Sequence, residues 1–165
     1  SVEIGSPEDG WKSITNGETI NQGSFLRTLV DSRGLVQFKN GNTVSLNSNT
    51  MIEFNDIVGQ QVTITQYSGE VFSRVARSNN SHDVILGDVK FESEGTMFLT
   101  QFKNSLPSVD VISSNVNVNY LDTNSIPIDT GKSYTHDLAR DPKQRITNVV
   151  ESYICLLYTS PSPRD

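Results

Sequence analysis

The sequence predicts an all-β fold, on three observations. Alanine occurs only twice, at Ala76 and Ala139, whereas valine, isoleucine and threonine total 42 of 165 residues. Helices favour alanine and unbranched side chains, and β-branched residues favour strands. Serine, threonine and asparagine make up 50 residues, the composition of turns and polar sheet faces. Short apolar runs recur at near-regular spacing between turn formers, which suits an elongated sandwich or a solenoid-like stack of short antiparallel strands. A chain of this length buries enough surface for one domain with a sizeable core. The net charge of −6 argues against a nucleic-acid binder, which would carry a basic face. No apolar run approaches the roughly 18–20 residues of a membrane helix.

The elements follow in order. Val2-Glu3-Ile4 reads as a strand, the turn formers from Gly5 to Gly10 as a loop, and Trp11 to Ile14 as a second short strand. Further strands are expected at Phe25–Val30, Leu35–Lys39, Thr43–Asn47, Met51–Phe54, Val62–Tyr67, Glu70–Ala76, Val84–Leu86, Val89–Glu92, Thr96–Lys103, Ser108–Ile112 and Val116–Tyr120. Around Asn40-Gly41 the parity of the apolar residues decides the loop. A two-residue loop would put Val36 and Phe38 on the face opposite Val44 and Leu46. A three-residue loop, Lys39-Asn40-Gly41, pairs Val36 with Val44 and Gly34 with Leu46, and the faces agree. That predicts a type I turn with Gly41 left-handed in a bulge. A second hairpin is expected at Tyr67-Ser68-Gly69-Glu70, and a turn at Ser114-Asn115. Asn115, Asn117 and Asn119 then form a polar row on an exposed face. A solvated surface explains such a row, and it is also the one candidate binding surface.

Residues 1–120 read as the β domain. Residues 121–141 are polar and turn-rich and read as a linker. Asp141 followed by Pro142, with Ile146, Val149, Val150 and Tyr153 at spacings of three and four, predicts a short amphipathic helix over 142–154. Residues 155–165, Cys-Leu-Leu-Tyr-Thr-Ser-Pro-Ser-Pro-Arg-Asp, resemble a translated sequencing-library adapter and are set aside as a non-native tail. The native reading then ends near Ile154 and contains no cysteine, which leaves no disulfide, catalytic thiol or cysteine zinc site. The chain opens on Ser1, consistent with a removed signal peptide or with a reading that starts inside a gene.

Motifs that carry chemistry are sparse. Asp129-Thr130-Gly131 resembles half of an aspartic-protease site, but that chemistry needs two carboxylates sharing a proton. Gly131-Lys132-Ser133 matches the end of a phosphate loop, yet Ile126 stands where the first glycine is required. His82-Asp83 and His136-Asp137 lie in polar stretches and read as surface turns rather than as metal ligands. The expectation is therefore a non-enzymatic protein with no catalytic residue, no metal and no cofactor.

The segment from Trp11 to Tyr120 resembles the FecR domain family, the extracytoplasmic β-rich domain of bacterial iron-transport regulators and of other envelope proteins. Trp11, Asn16-Gly17, Gly23, Leu26, Arg27 and Thr28 resemble its opening element. Val36 to Leu46 with Gly41, followed by Thr50 and Ile52, resemble its central hairpin. Gly69-Glu70-Val71-Phe72 resembles a later strand, and Gly95-Thr96-Met97-Phe98 its closing signature. Ser24 departs from the aspartate usual there. The resemblance implies structural roles for Trp11, Gly23, Arg27, Thr28, Gly41, Gly69, Phe72, Gly95, Thr96 and Phe98.

The resemblance further implies a bacterial periplasmic, envelope or secreted location. It implies a signalling or sensory module whose partner is another envelope protein, such as the signalling domain of a TonB-dependent receptor. The chain carries no cytoplasmic anti-sigma segment, so the sigma-factor role of the best-known members is not implied. The alternative is a secreted module that binds glycan or peptidoglycan through the row Asn115, Asn117 and Asn119.

Overall fold

The computed structural model describes residues 1–76, 79–121 and 125–149. Among these residues, sixteen strands form two sheets. In chain order they are β1 (Val2–Ser6), β2 (Gly10–Ser13), β3 (Phe25–Thr28), β4 (Gly34–Gln37), β5 (Thr43–Leu46), β6 (Met51–Val58), β7 (Gln61–Ser68) and β8 (Glu70–Arg74). They continue as β9 (Ser81–Leu86), β10 (Val89–Glu94), β11 (Met97–Lys103), β12 (Leu106–Ser113), β13 (Asn115–Tyr120), β14 (Ile126–Asp129), β15 (Lys132–Thr135) and β16 (Ile146–Asn148). One sheet has nine strands in the order β14-β13-β10-β9-β7-β6-β3-β1-β2, and the other has seven in the order β16-β15-β12-β11-β8-β5-β4. All described pairings are antiparallel except β7 with β9.

The topology combines the two architectures the sequence left open. Inward residues of both sheets form one core, with Leu26, Ile52, Phe54, Val84, Phe91 and Val118 facing Val44, Leu46, Val71, Phe98, Val109 and Tyr134. That is a sandwich. Yet from β3 onward the chain adds strands to the two sheets alternately and in sequence order, so both grow in the same direction, as in a solenoid. Strand alternation supplies the inward apolar side chains throughout.

The central hairpin forms as its parity requires. Val36 pairs with Val44 and Gly34 with Leu46. The Phe38 N–H donates to the Asn42 carbonyl at 2.9 Å, and Gly41 lies at φ +95°.

The expected hairpin at Tyr67 to Glu70 is corrected. β7 and β8 belong to different sheets, so this turn is a corner at which the chain crosses the sandwich. Gly69 holds φ +80° there, and a Cβ on it would stand 2.1 Å from Thr50 Oγ1 and 2.6 Å from Thr50 Cα. Only glycine fits, for backbone conformation and for space together. Asn49, Ser114 and Gly131 also hold positive φ at sheet-switching corners, so Ser114-Asn115 likewise joins strands of different sheets.

The C-terminal third is corrected as well. The expected linker over 121–141 contains β14 and β15, which pair with β13 and β12 and extend both sheets. The expected helix over 142–154 is a 3₁₀ turn at Pro142–Arg145 followed by β16, which pairs with β15. The spacing of Ile146 and Val149 is equally compatible with a turn and a strand, and pairing to an existing sheet edge outweighs the marginal stability of one short helix. Residues 150–165, with the tail set aside above, lie outside the described residues.

Candidate functional site

The family-motif threonines tie the corners. Thr28 Oγ1 donates to the Asn47 carbonyl at 2.5 Å and accepts from the Thr50 N–H at 3.1 Å. Thr50 Oγ1 accepts from the Glu70 N–H at 3.0 Å. Thr96 Oγ1 donates to the Ser113 carbonyl. Each is buried, so each hydroxyl satisfies backbone groups that the corner removes from a ladder. Arg27 stacks over the Trp11 ring at 4.0 Å and pairs with Glu3 at 2.7 Å, which fastens β2 to β1 and β3. Phe98 is fully buried, Phe72 partly so on the outer side of β8, and Gly23 donates to the Phe54 carbonyl at 2.7 Å. Gly95 closes the turn from β10 to β11.

The asparagine row stands on β13, on the outer side of the nine-stranded sheet. Asn117 pairs with Glu92, Asn119 with Lys90, and Asn115 with Asp129. Asn115 and Asn117, but not Asn119, line a polar pocket of about 280 Å³, with Ser81, Asp83, Glu92, Ser93 and Glu94 completing it. Asn119 is instead held by Ser125, whose hydroxyl donates to it at 2.5 Å. Asp83 is only 6% exposed, and among the described residues its one ion pair is to Lys90 Nζ at 3.7 Å. Burial pushes its carboxyl up to about 6; Lys90 opposes the shift, while Glu92 and Glu94 add to it. The pocket therefore offers amides, hydroxyls and three carboxylates, a surface for hydrogen-bonding or cationic groups. Sequence reasoning found its asparagines and missed its acids, because only the lateral pairing of β9, β10 and β13 brings them together.

The histidines are not surface turns. His82 is fully buried on the inner side of β9, its ring edge-on to Phe38 at 6.1 Å and to Phe98 at 6.0 Å. Its Nδ1 lies 3.5 Å from the Asn42 amide, and its Nε2 has no hydrogen-bond partner among the described residues. Burial pulls it down to about 4, so the ring is neutral. Asn42 joins it to the chain by accepting from Asn80 Nδ2 at 2.9 Å and from the Ala76 N–H at 3.1 Å. His136 is buried too, 2.9 Å from the Tyr134 hydroxyl and 4.5 Å from the Tyr120 ring. Neither converges with other ligands: among the described residues no group of three His, Cys, Asp or Glu could hold a metal ion. Alternation placed both inward, a period the polar neighbours masked.

The remaining motifs serve the fold. Asp129 is exposed at the end of β14, and Thr130 Oγ1 donates to the Ser114 carbonyl at 2.7 Å. Gly131-Lys132-Ser133 opens β15, with Ser133 donating to Asp110 at 2.5 Å; no helix follows it to face a phosphate. The sheets end on four strands, β14 and β2 in one and β16 and β4 in the other.

Residues 24–119 match the family described as FecR protein; Trp11 and Gly23 precede the matched stretch. Two crystal structures of a candidate anti-sigma factor from Parabacteroides distasonis ATCC 8503 share the fold. Each aligns with a TM-score of 0.66 at 14% identity over 82% of this chain, covering 65% of the neighbour in one and 64% in the other. The chain thus spans less than two thirds of those proteins. No curated protein matches it.

Proposed function

The chain belongs to the FecR protein family, and from that premise we propose that it is a non-enzymatic, extracytoplasmic signalling module that acts by contacting another envelope protein. The observation that carries this reading is the family match over residues 24–119. The fold shared with a candidate anti-sigma factor supports it. The geometry is consistent as well. Its buried polar groups tie corners and sheets, and among the described residues its sheets end on open strands, whose outward backbone groups can receive a strand from a partner. The partner class that the family suggests is the signalling domain of a TonB-dependent receptor. The test is photo-crosslinking of the tagged protein in cells of its host, together with transcript profiling of a deletion strain. Capture of a receptor domain and an altered transcript set are expected. An unchanged transcript set in the deletion strain would remove the signalling reading.

A second reading rests on the polar pocket beside Asn115 and Asn117: binding of a glycan or peptidoglycan fragment on the outer face. Its test is a glycan array with the wild type and the Asn115→Ala/Asn117→Ala variant. Binding that the variant loses supports it, and no binding to any glycan counts against it.

A further inference from the structure

We propose that the partner engages β4, adding an extended strand with an apolar centre and carboxylates at its ends to the edge of the seven-stranded sheet. This rests on the signalling reading and specifies its contact.

The backbone register defines the docking groups. Phe38 donates to the Asn42 carbonyl, and Val36 and Gly34 continue the same parity against Val44 and Leu46. In an antiparallel pair, alternate residues direct both backbone groups at the partner and the others direct both away. The N–H and C=O of Leu35 and Gln37 therefore point out of the sheet edge, where β4 is the terminal strand and, among the described residues, pairs with β5 alone. An added strand would take up all four.

The surroundings select this edge. β14 carries Pro127, which removes a backbone donor, and β16 has only three residues. On β2 the one large apolar residue, Trp11, is already covered by Arg27. β4 has no proline and no charge, the devices that usually block an edge. Of the seven exposed large hydrophobic residues in the described structure, Leu35, at 44% exposure, lies on β4 itself, and Leu29 and Val30, at 36% and 69%, lie in the segment that leads into it from β3. Charge then names the occupant. The chain is acidic overall, but Arg33 and Lys39 bracket β4, and neither makes an ion pair among the described residues. A second copy is the poorer fit, because antiparallel pairing centred on Val36 would set Arg33 against Lys39, and like charges placed opposite each other are destabilising.

The experiment uses the full chain and two blocked peptides, Glu-Thr-Val-Thr-Val-Thr-Glu and Lys-Thr-Val-Thr-Val-Thr-Lys. Binding is read by fluorescence anisotropy and by amide hydrogen exchange. The expected result is saturable binding of the acidic peptide, with slowed exchange at the Leu35 and Gln37 amides, and at least tenfold weaker binding of the basic one. Gln37→Pro removes an outward donor without touching the β4–β5 ladder and should weaken binding at least tenfold. Leu35→Glu, which removes the apolar contact and sets a like charge against the acidic peptide, is the second variant, should the proline disturb folding, and should weaken its binding as well. Unchanged binding in both variants, or protection on β2, β14 or β16 instead, overturns the proposal. So does a concentration-dependent dimer in sedimentation that Gln37→Pro abolishes, which would assign the edge to a second copy. In cells, a Gln37→Pro protein that still captures its envelope partner refutes the β4 contact while leaving the signalling reading intact; an unchanged deletion transcriptome refutes the signalling reading itself.

Discussion

His82 and Asp83 are neighbours in the chain with opposite faces and opposite pH linkage, and separating them is a strong test of the core. His82 titrates near 4 in the fold against 6.5 ordinarily. Below pH 6.5 the unfolded chain takes up a proton that the folded chain refuses, so stability is lost as pH falls from about 6.5 towards 4. Asp83 titrates near 6 against 3.8 ordinarily. Between those values the folded chain holds a proton that the unfolded chain has released, so stability is gained over the same fall. At about 1.4 kcal/mol for each tenfold change in proton affinity, the full effect is about 3 kcal/mol for each group, of which about 2 kcal/mol has developed by pH 4.5. The two contributions nearly cancel in the wild type.

Single variants expose them. Urea unfolding followed by far-ultraviolet circular dichroism at pH 7 and pH 4.5 gives the stability of the wild type, His82→Leu and Asp83→Asn. Relative to the wild type, His82→Leu should gain about 2 kcal/mol on acidification, because only the Asp83 linkage remains. Asp83→Asn should lose about as much. The other carboxylates are common to all three proteins and drop out of the comparison. If both variants keep the wild-type pH dependence, His82 is not held neutral in the core and Asp83 is not held protonated on the sheet, and the reasoning fails.

Three other outcomes are expected. Gly69→Ala should cost about 3 kcal/mol or more by thermal or urea unfolding, since a left-handed alanine alone costs about 1–2 kcal/mol and its Cβ would also meet the Thr50 backbone. Gly23→Ala, at φ +89° with open space around it, should show only the conformational cost, about 1–2 kcal/mol; equal losses at the two sites would refute the corner argument. Gln66 spans the sandwich by accepting from Thr100 Oγ1 at 2.6 Å and donating to the carbonyls of Thr100 and Gly69. Gln66→Leu should therefore cost about 1–3 kcal/mol through buried groups left unpaired, and a neutral result by urea unfolding would show that the clamp adds nothing. Glu3→Gln should loosen Arg27 from its ion pair and change the emission of Trp11, the single tryptophan, while altering global stability by no more than about 1 kcal/mol; unchanged emission would place Arg27 over the ring without help from Glu3.

Much of this was legible because strand physics is local. The period of two marked β4 to β13, and the parity of Val36, Phe38, Val44 and Leu46 was sufficient to fix the loop at Gly41. The same period cannot say where a strand goes next. A glycine after an alternating run serves equally as a hairpin turn or as a corner between sheets, and at Gly69 it is a corner. β14 to β16 were hidden because short polar segments form strands only when an existing edge offers them a ladder. The polar pocket was half legible: Asn115 and Asn117 announced themselves as a row, but Asp83, Glu92 and Glu94 join them only through lateral pairing. The burial of His82 was not legible because its neighbours are polar.

By itself, then, the sequence determined the all-β class, the register of the central hairpin and the family likeness, since each rests on contacts or motifs close in the chain. The tertiary structure alone decided which turns cross the sandwich, which polar side chains are buried and which edge stays open. Those depend on partners distant in the chain, and alternation gives a strand its two faces without saying which strand will lie beside it.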